Sequence, residues 1–93
     1  MPTLRIEHPV RDYDAWRRAF DGDPAGRKAG GVRRFEVLRA VDDPNYVLID
    51  LEFDSTTEAE AFLGRLRTIW SRVQGTLIVD PRARIVEAAP AGS

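Results

Sequence analysis

The sequence predicts one α+β domain with the element order strand, helix, strand, strand, helix, strand. Three observations carry that prediction. Apolar residues alternate over 3–10 and again over 46–53, the mark of half-buried strands. Two segments, 13–20 and 59–73, repeat apolar residues at helical spacing. Between residues 32–41 and 46–53, Asp42-Asp43-Pro44-Asn45 reads as the turn of a β-hairpin, Pro44 presetting φ and Asn45 tolerating the next position. The 93 residues suit a single domain, placed at 1–88, with 89–93 as a frayed tail.

The first strand, Thr3 to Val10, sets Leu4, Ile6, His8 and Val10 on one face and Thr3, Arg5 and Glu7 on the other. Pro9 lacks an N–H donor and belongs at the strand's end or on an unpaired stretch. Asp12 is placed to cap the first helix, and Asp14 in its first turn complements the helix dipole. Tyr13, Trp16 and Phe20 form an aromatic stripe, and the helix is expected to stop near Asp21-Gly22-Asp23-Pro24. Residues 22–31 are the loosest connection, of a length that goes with mobility or function. Ser55-Thr56-Thr57-Glu58 reads as a capping box ahead of the second helix. Its stripe is Ala59, Phe62, Leu66, Ile69 and Val73, with Leu63 and Trp70 at the edge and Gly64 on the solvent side. Gly75 is a suitable stop, and Arg82 to Ala88 supplies the last strand.

Composition removes several function classes. Fourteen basic and fifteen acidic residues give a net charge of −1, without the basic excess that phosphate neutralisation needs, so nucleic acid is not an expected partner. The absence of cysteine excludes disulfides, thiolate metal sites and a cysteine nucleophile. A lone histidine among scattered acids makes no ligand cluster, so no metal is expected. No run approaches the roughly 18 apolar residues of a membrane span. Met1-Pro2-Thr3-Leu4-Arg5 leads straight into a strand, and a cytoplasmic location is expected.

A hairpin between two right-handed crossovers gives the split βαβ, or ferredoxin-like, arrangement, with both helices on one face of a four-stranded antiparallel sheet. The other face would carry Arg5, Glu7, Arg34, Glu36, Asp50 and Glu52, then Arg82 and Arg84. Leu38, Ala40, Leu48 and Val86 are interspersed among these charges. Such a face is either solvated or covered by a second copy of the chain.

His8 is the one side chain whose unperturbed pKa lies near neutral, which makes it the acid–base candidate. Asp12 follows within one short turn and is a candidate partner that would fix its tautomer. The alternative is a structural histidine bonded to a helix cap. Arg39 shares the face of Phe35 and Val37, where it needs a carboxylate, from Asp12 or Asp50, or an anionic ligand. Tyr13, Trp16 and Trp70 can wall a small-molecule site or simply pack as core. Of nucleotide, metalloprotease and hydrolase motifs (GxGxxG, Walker loop, HExxH, GxSxG) the chain shows none.

The run His8-Pro9-Val10-Arg11-Asp12-Tyr13-Asp14-Ala15-Trp16, then Phe20-Asp21, resembles the opening of small bacterial proteins of the dimeric α/β-barrel superfamily, near the antibiotic-biosynthesis-monooxygenase-like proteins. Arg39, the Asp42-Asp43-Pro44-Asn45 turn and Ala59-Glu60-Ala61-Phe62-Leu63 extend the resemblance over most of the chain. It implies a homodimer with facing sheets and, in each protomer, a pocket between the open sheet face and its helices. It also implies a reaction without metal or bound flavin, for which Trp16, Trp70 and Asn45 are the comparable residue types. Haem-degrading relatives carry an axial histidine on a helix, whereas His8 ends a strand, so no cofactor is expected. The combined expectation is a cofactor-independent monooxygenase, isomerase or cyclase acting on a small aromatic or polyketide-like substrate. His8 would be the base, Arg39 the oxyanion stabiliser, and Tyr13, Trp16 and Trp70 the walls. The alternative is a non-catalytic ligand-binding or structural homodimer.

Overall fold

The computed structural model describes residues 1–89. In chain order the elements are β1 (Thr3–Pro9), α1 (Tyr13–Asp21), β2 (Arg34–Ala40), β3 (Asp43–Glu52), α2 (Thr56–Val73) and β4 (Arg82–Val86). The strands form one sheet in the order β2-β3-β1-β4, every neighbouring pair antiparallel. This is the ferredoxin-like arrangement. The expected tail at 89–93 falls, from residue 90 onward, outside the described residues.

Pairing register decides which side chains share a face. Leu4, Ile6 and His8 of β1 stand opposite Leu51, Ile49 and Val47 of β3. Ile85 and Ala83 of β4 flank Leu4 and Ile6 on the other side. Phe35, Val37 and Arg39 of β2 align with Leu51, Ile49 and Val47. This is the face that the helices cover, and its centre is closed to solvent: Leu4, Val47 and Phe53 have no exposed surface. Burying each such side chain stabilises by roughly 1.5–3 kcal/mol.

The opposite face holds the charged set. Arg5 donates twice to Asp50, at 3.0 Å each, Arg34 pairs with Glu52 at 3.1 Å, and Tyr46 donates to Glu7 at 3.1 Å. Leu38 lies among them, 42% exposed.

Both helices start on the caps their sequences announce. Asp12 accepts from the Asp14 N–H at 3.1 Å, and Ser55 accepts from the Glu58 N–H at 3.2 Å while its hydroxyl donates to the Glu58 carboxylate. After α2, Gly75 takes φ +85°, the left-handed conformation that ends a helix at little cost to glycine. Ala59, Phe62 and Leu63 in the first half of α2 are buried, but Leu66, Trp70 and Val73 in its second half are only partly covered.

The hairpin departs from expectation. Its turn is Val41-Asp42, closed by Ala40 opposite Asp43, and Pro44 and Asn45 lie inside β3 where the register shifts. The Asp43 carboxylate accepts the Asn45 N–H at 3.0 Å, folding a local Asx turn into the strand. That turn carries Pro44, which has no N–H to donate, through an irregular stretch of ladder. Asn45 in turn ties the hairpin to α1: its carbonyl accepts from Val10 at 2.7 Å and its side-chain oxygen from the Tyr13 N–H at 3.1 Å.

The connection from α1 to β2 is an ordered crossing. Asp23 accepts the Arg27 N–H at 2.9 Å and Gly26 N–H bonds the Asp23 carbonyl at 3.1 Å, making one tight turn. Further on, the backbone lies flat on α2, where a Cβ added to Gly30 would sit 2.5 Å from Phe62 Cδ1.

Candidate functional site

The half-covered end of α2 faces α1 across the sheet, and between them lies a cavity of about 390 Å³. That volume is within the range of small-molecule sites. Ile6, His8, Ile49 and Leu51 of the central strands form its floor. Trp16 and Phe20 of α1 wall one side, and Phe62, Leu66, Ile69 and Trp70 of α2 wall the other. Asp23, Pro24, Ala25 and Arg27 of the connecting turn form the rim. Trp70 also borders a second, more open and polar hollow edged by Arg67, Gln74, Asp80 and Arg82.

His8 is 2% exposed and is the only buried polar residue among those described. Its Nδ1 lies 3.1 Å from the Pro9 carbonyl. A carbonyl only accepts, so Nδ1 carries the proton and Nε2 keeps the lone pair. Burial pushes the imidazole below its ordinary value of 6.5, only partly offset by the bond to Pro9. The side chain is therefore neutral at pH 7. No buried side-chain nitrogen or oxygen among the described residues lacks a partner. His8 lines the cavity, and its Nε2 makes no protein hydrogen bond among the described residues. The Trp16 ring meets the imidazole edge-on, centroids 6.0 Å apart, and stacks on Phe20 at 5.1 Å.

Three of the six sequence-predicted residues, His8, Trp16 and Trp70, come together around this cavity. The other three do not line it. The Asp12 carboxylate is spent on the Asp14 N–H at the start of α1, and no ion pair joins it to His8. Capping wins because the nearby orphan amide lies in reach of a side chain at the helix entrance. Arg39 lies at the hairpin end of the sheet, exposed, with its guanidinium carbon 4.2 Å above the Tyr13 ring. Among the described residues it pairs with no carboxylate: Asp50 is on the far face with Arg5. Tyr13 is occupied as the platform for Arg39 and packs beside Trp16 at 5.9 Å.

Sequence reasoning missed Arg27. Its side chain is 17% exposed and its guanidinium lies 4.1 Å from the Phe20 ring centre and 4.7 Å from that of Phe35. Asp23 and Phe20, four and seven residues earlier, provide the signal that was available: an i,i+4 acid and an aromatic helix end ahead of an arginine in a glycine-rich turn.

No group of His, Cys, Asp or Glu among the described residues is arranged to hold a metal ion. No helix among them is long and apolar enough to cross a membrane.

No protein-family model matches the chain, and no curated protein sequence does. Solved structures match over nearly their full length. An antibiotic biosynthesis monooxygenase superposes with a TM-score of 0.72 at 8% identity, over 97% of this chain and 100% of that one. The chain has the fold of the antibiotic biosynthesis monooxygenase-like proteins. A Nitrosomonas europaea protein of unknown function shares this monooxygenase-like fold with a TM-score of 0.73 at 16% identity, over 98% of this chain and 95% of that one. So does a dimeric ferredoxin-like protein from an uncultured marine organism, with a TM-score of 0.67 at 8% identity, over 99% and 92%. At such identities the likeness is one of fold.

Proposed function

We propose that the chain acts as a homodimer with facing sheets, and that the cavity in each protomer takes a small aromatic or polyketide-like substrate from which His8 removes a proton. Abstraction of an acidic proton to give an enolate or phenolate is the step that a cofactor-independent oxygenase, isomerase or cyclase of this kind has in common. One observation carries the reading: a neutral imidazole, its Nδ1–H already committed to Pro9, offers Nε2 to a cavity otherwise walled mainly by apolar and aromatic side chains. A base must be unprotonated at working pH and within reach of its substrate, and burial meets the first condition here. Low dielectric around the site strengthens the attraction between the imidazolium and the enolate or phenolate that form together. Support for the dimer comes from Leu38, Leu48 and Val86 scattered among ion pairs on the uncovered sheet face, and from the dimeric description of one structural neighbour.

The test is deuterium exchange at the acidic carbons of a panel of small aromatic ketones and β-diketones, followed by NMR at neutral pH. Wild-type protein is expected to accelerate exchange at least for one member, and His8→Gln to return it to background. The second reading, a non-catalytic binder, is favoured by the lack of any carboxylate on His8 among the described residues. Ligand binding with no exchange catalysis across the panel would establish it and remove His8 as a base.

A further inference from the structure

Among the described residues Arg27 is the only cationic side chain lining the cavity, and its N–H groups are not all spent. Nη1 donates to the Phe20 carbonyl at 2.8 Å. Nε lies 3.6 Å from Asp23 Oδ1, beyond hydrogen-bond length, and that oxygen already accepts the Arg27 backbone N–H at 2.9 Å. Nη2 has no hydrogen-bond acceptor among the described residues. Because no buried side-chain nitrogen there goes unpartnered, Nη2 is not fully buried, and the residue that carries it lines the cavity. Phe20 and Phe35 flank the guanidinium, which confines its remaining donors to the edge. A guanidinium stays charged at any relevant pH and its forked donors suit a planar anion.

We infer that Arg27 is the specificity-determining residue of the cavity, selecting a largely apolar molecule that carries one anionic group, a carboxylate, sulfonate or acidic enol, at the end nearest the connecting turn. The inference rests on the cavity being a ligand site and adds the charge of its occupant. The apolar body lies against Trp16, Phe62 and Trp70 while the anion meets Arg27. Asp23 competes for the same cation, holding it in place when no anion is bound.

Two fluorescent probes separate the contributions: 8-anilino-1-naphthalenesulfonate, and N-phenyl-1-naphthylamine, which is the same ring system without the sulfonate. Arg27→Gln is expected to weaken the sulfonate by about ten- to a hundredfold, the weight of a charge-assisted hydrogen bond, and to leave the neutral probe within about twofold, the scatter of a changed non-contact. Asp23→Asn keeps an oxygen for the Arg27 N–H and removes the competing charge, so it should tighten the sulfonate and not the neutral probe. Equal losses of both probes in Arg27→Gln would make the arginine a merely structural latch and overturn the inference, as would an unchanged sulfonate affinity in both variants. Leu66→Trp, which fills the cavity, is the control on the cavity itself. If both probes bind that variant as they bind wild type, they do not occupy the cavity, and the ligand-site reading fails with the inference.

Discussion

Replacing His8 by Leu removes the titratable group from the floor of the cavity while keeping an apolar side chain of similar size there. The hydrogen bond to Pro9 is lost, worth about 1 kcal/mol. The Pro9 carbonyl is not orphaned, because the Val79 N–H also donates to it at 3.1 Å. Above pH 7.5 the variant should therefore lie within about 1–1.5 kcal/mol of wild type. The curves then diverge on acidification. In the folded protein burial holds the His8 pKa below 6.5, its value in the unfolded chain. Between those two values the unfolded chain binds the additional proton, so wild-type stability falls as pH drops below 6.5 and levels off once the folded pKa is passed. The slope cannot exceed that of one proton, about 1.4 kcal/mol per pH unit. Urea unfolding of both proteins at several values between pH 8 and pH 5 gives the difference curve, in which the carboxylates common to both cancel. Parallel curves would refute the buried neutral imidazole. A wild type that gains on the variant in acid would show that a carboxylate holds the protonated ring.

Two further perturbations test what positions the cavity walls. Asn45→Ala removes the acceptor for the Tyr13 N–H; it should cost about 1 kcal/mol in urea unfolding and loosen the near-ultraviolet circular dichroism signal of Trp16 by freeing the start of α1. Gly30→Ala forces a methyl group into the Phe62 ring and should lower stability by about 1–3 kcal/mol, with Phe62→Leu in the same chain recovering part of the loss by thermal unfolding.

The two faces of the sheet were legible because a strand's period of two leaves no freedom once Leu4 and Ile6 face inward. Every charged residue assigned to the outer face on that basis, from Arg5 to Arg84, has the register expected of it. Caps were legible for a similar reason, being written within four residues of sequence. The hairpin turn was not, since Asp43, Pro44 and Asn45 suit either a loop or an Asx turn inside a bulge, and tertiary ties from Val10 and Tyr13 to Asn45 choose the second. His8 could be placed at the site from its spacing to Ile6, whereas its pairing with Asp12 depended on whether the cap or the imidazole took the carboxylate. Arg27 lay beyond periodicity altogether, in a connection whose order arises from Phe20, Phe35 and Asp23 closing around one guanidinium.

The shape of the cavity also bears on why it persists. α2 spends its first half on the core and its second half on the walls, leaving Leu66, Ile69, Trp70 and Val73 only partly covered. Each is at most about a third exposed, so the four together give up no more than about 2–4 kcal/mol, still a sizeable part of the roughly 5–15 kcal/mol that stabilises a typical domain. A modest inward shift of α1 would recover some of it, but the backbone turn over Asp23 and Gly26 braces α1 from one end and Asn45 braces it from the other. An occupant that covers those side chains is thus coupled to folding: it adds RT ln(1 + [L]/Kd), about 2.7 kcal/mol at a hundredfold excess over Kd.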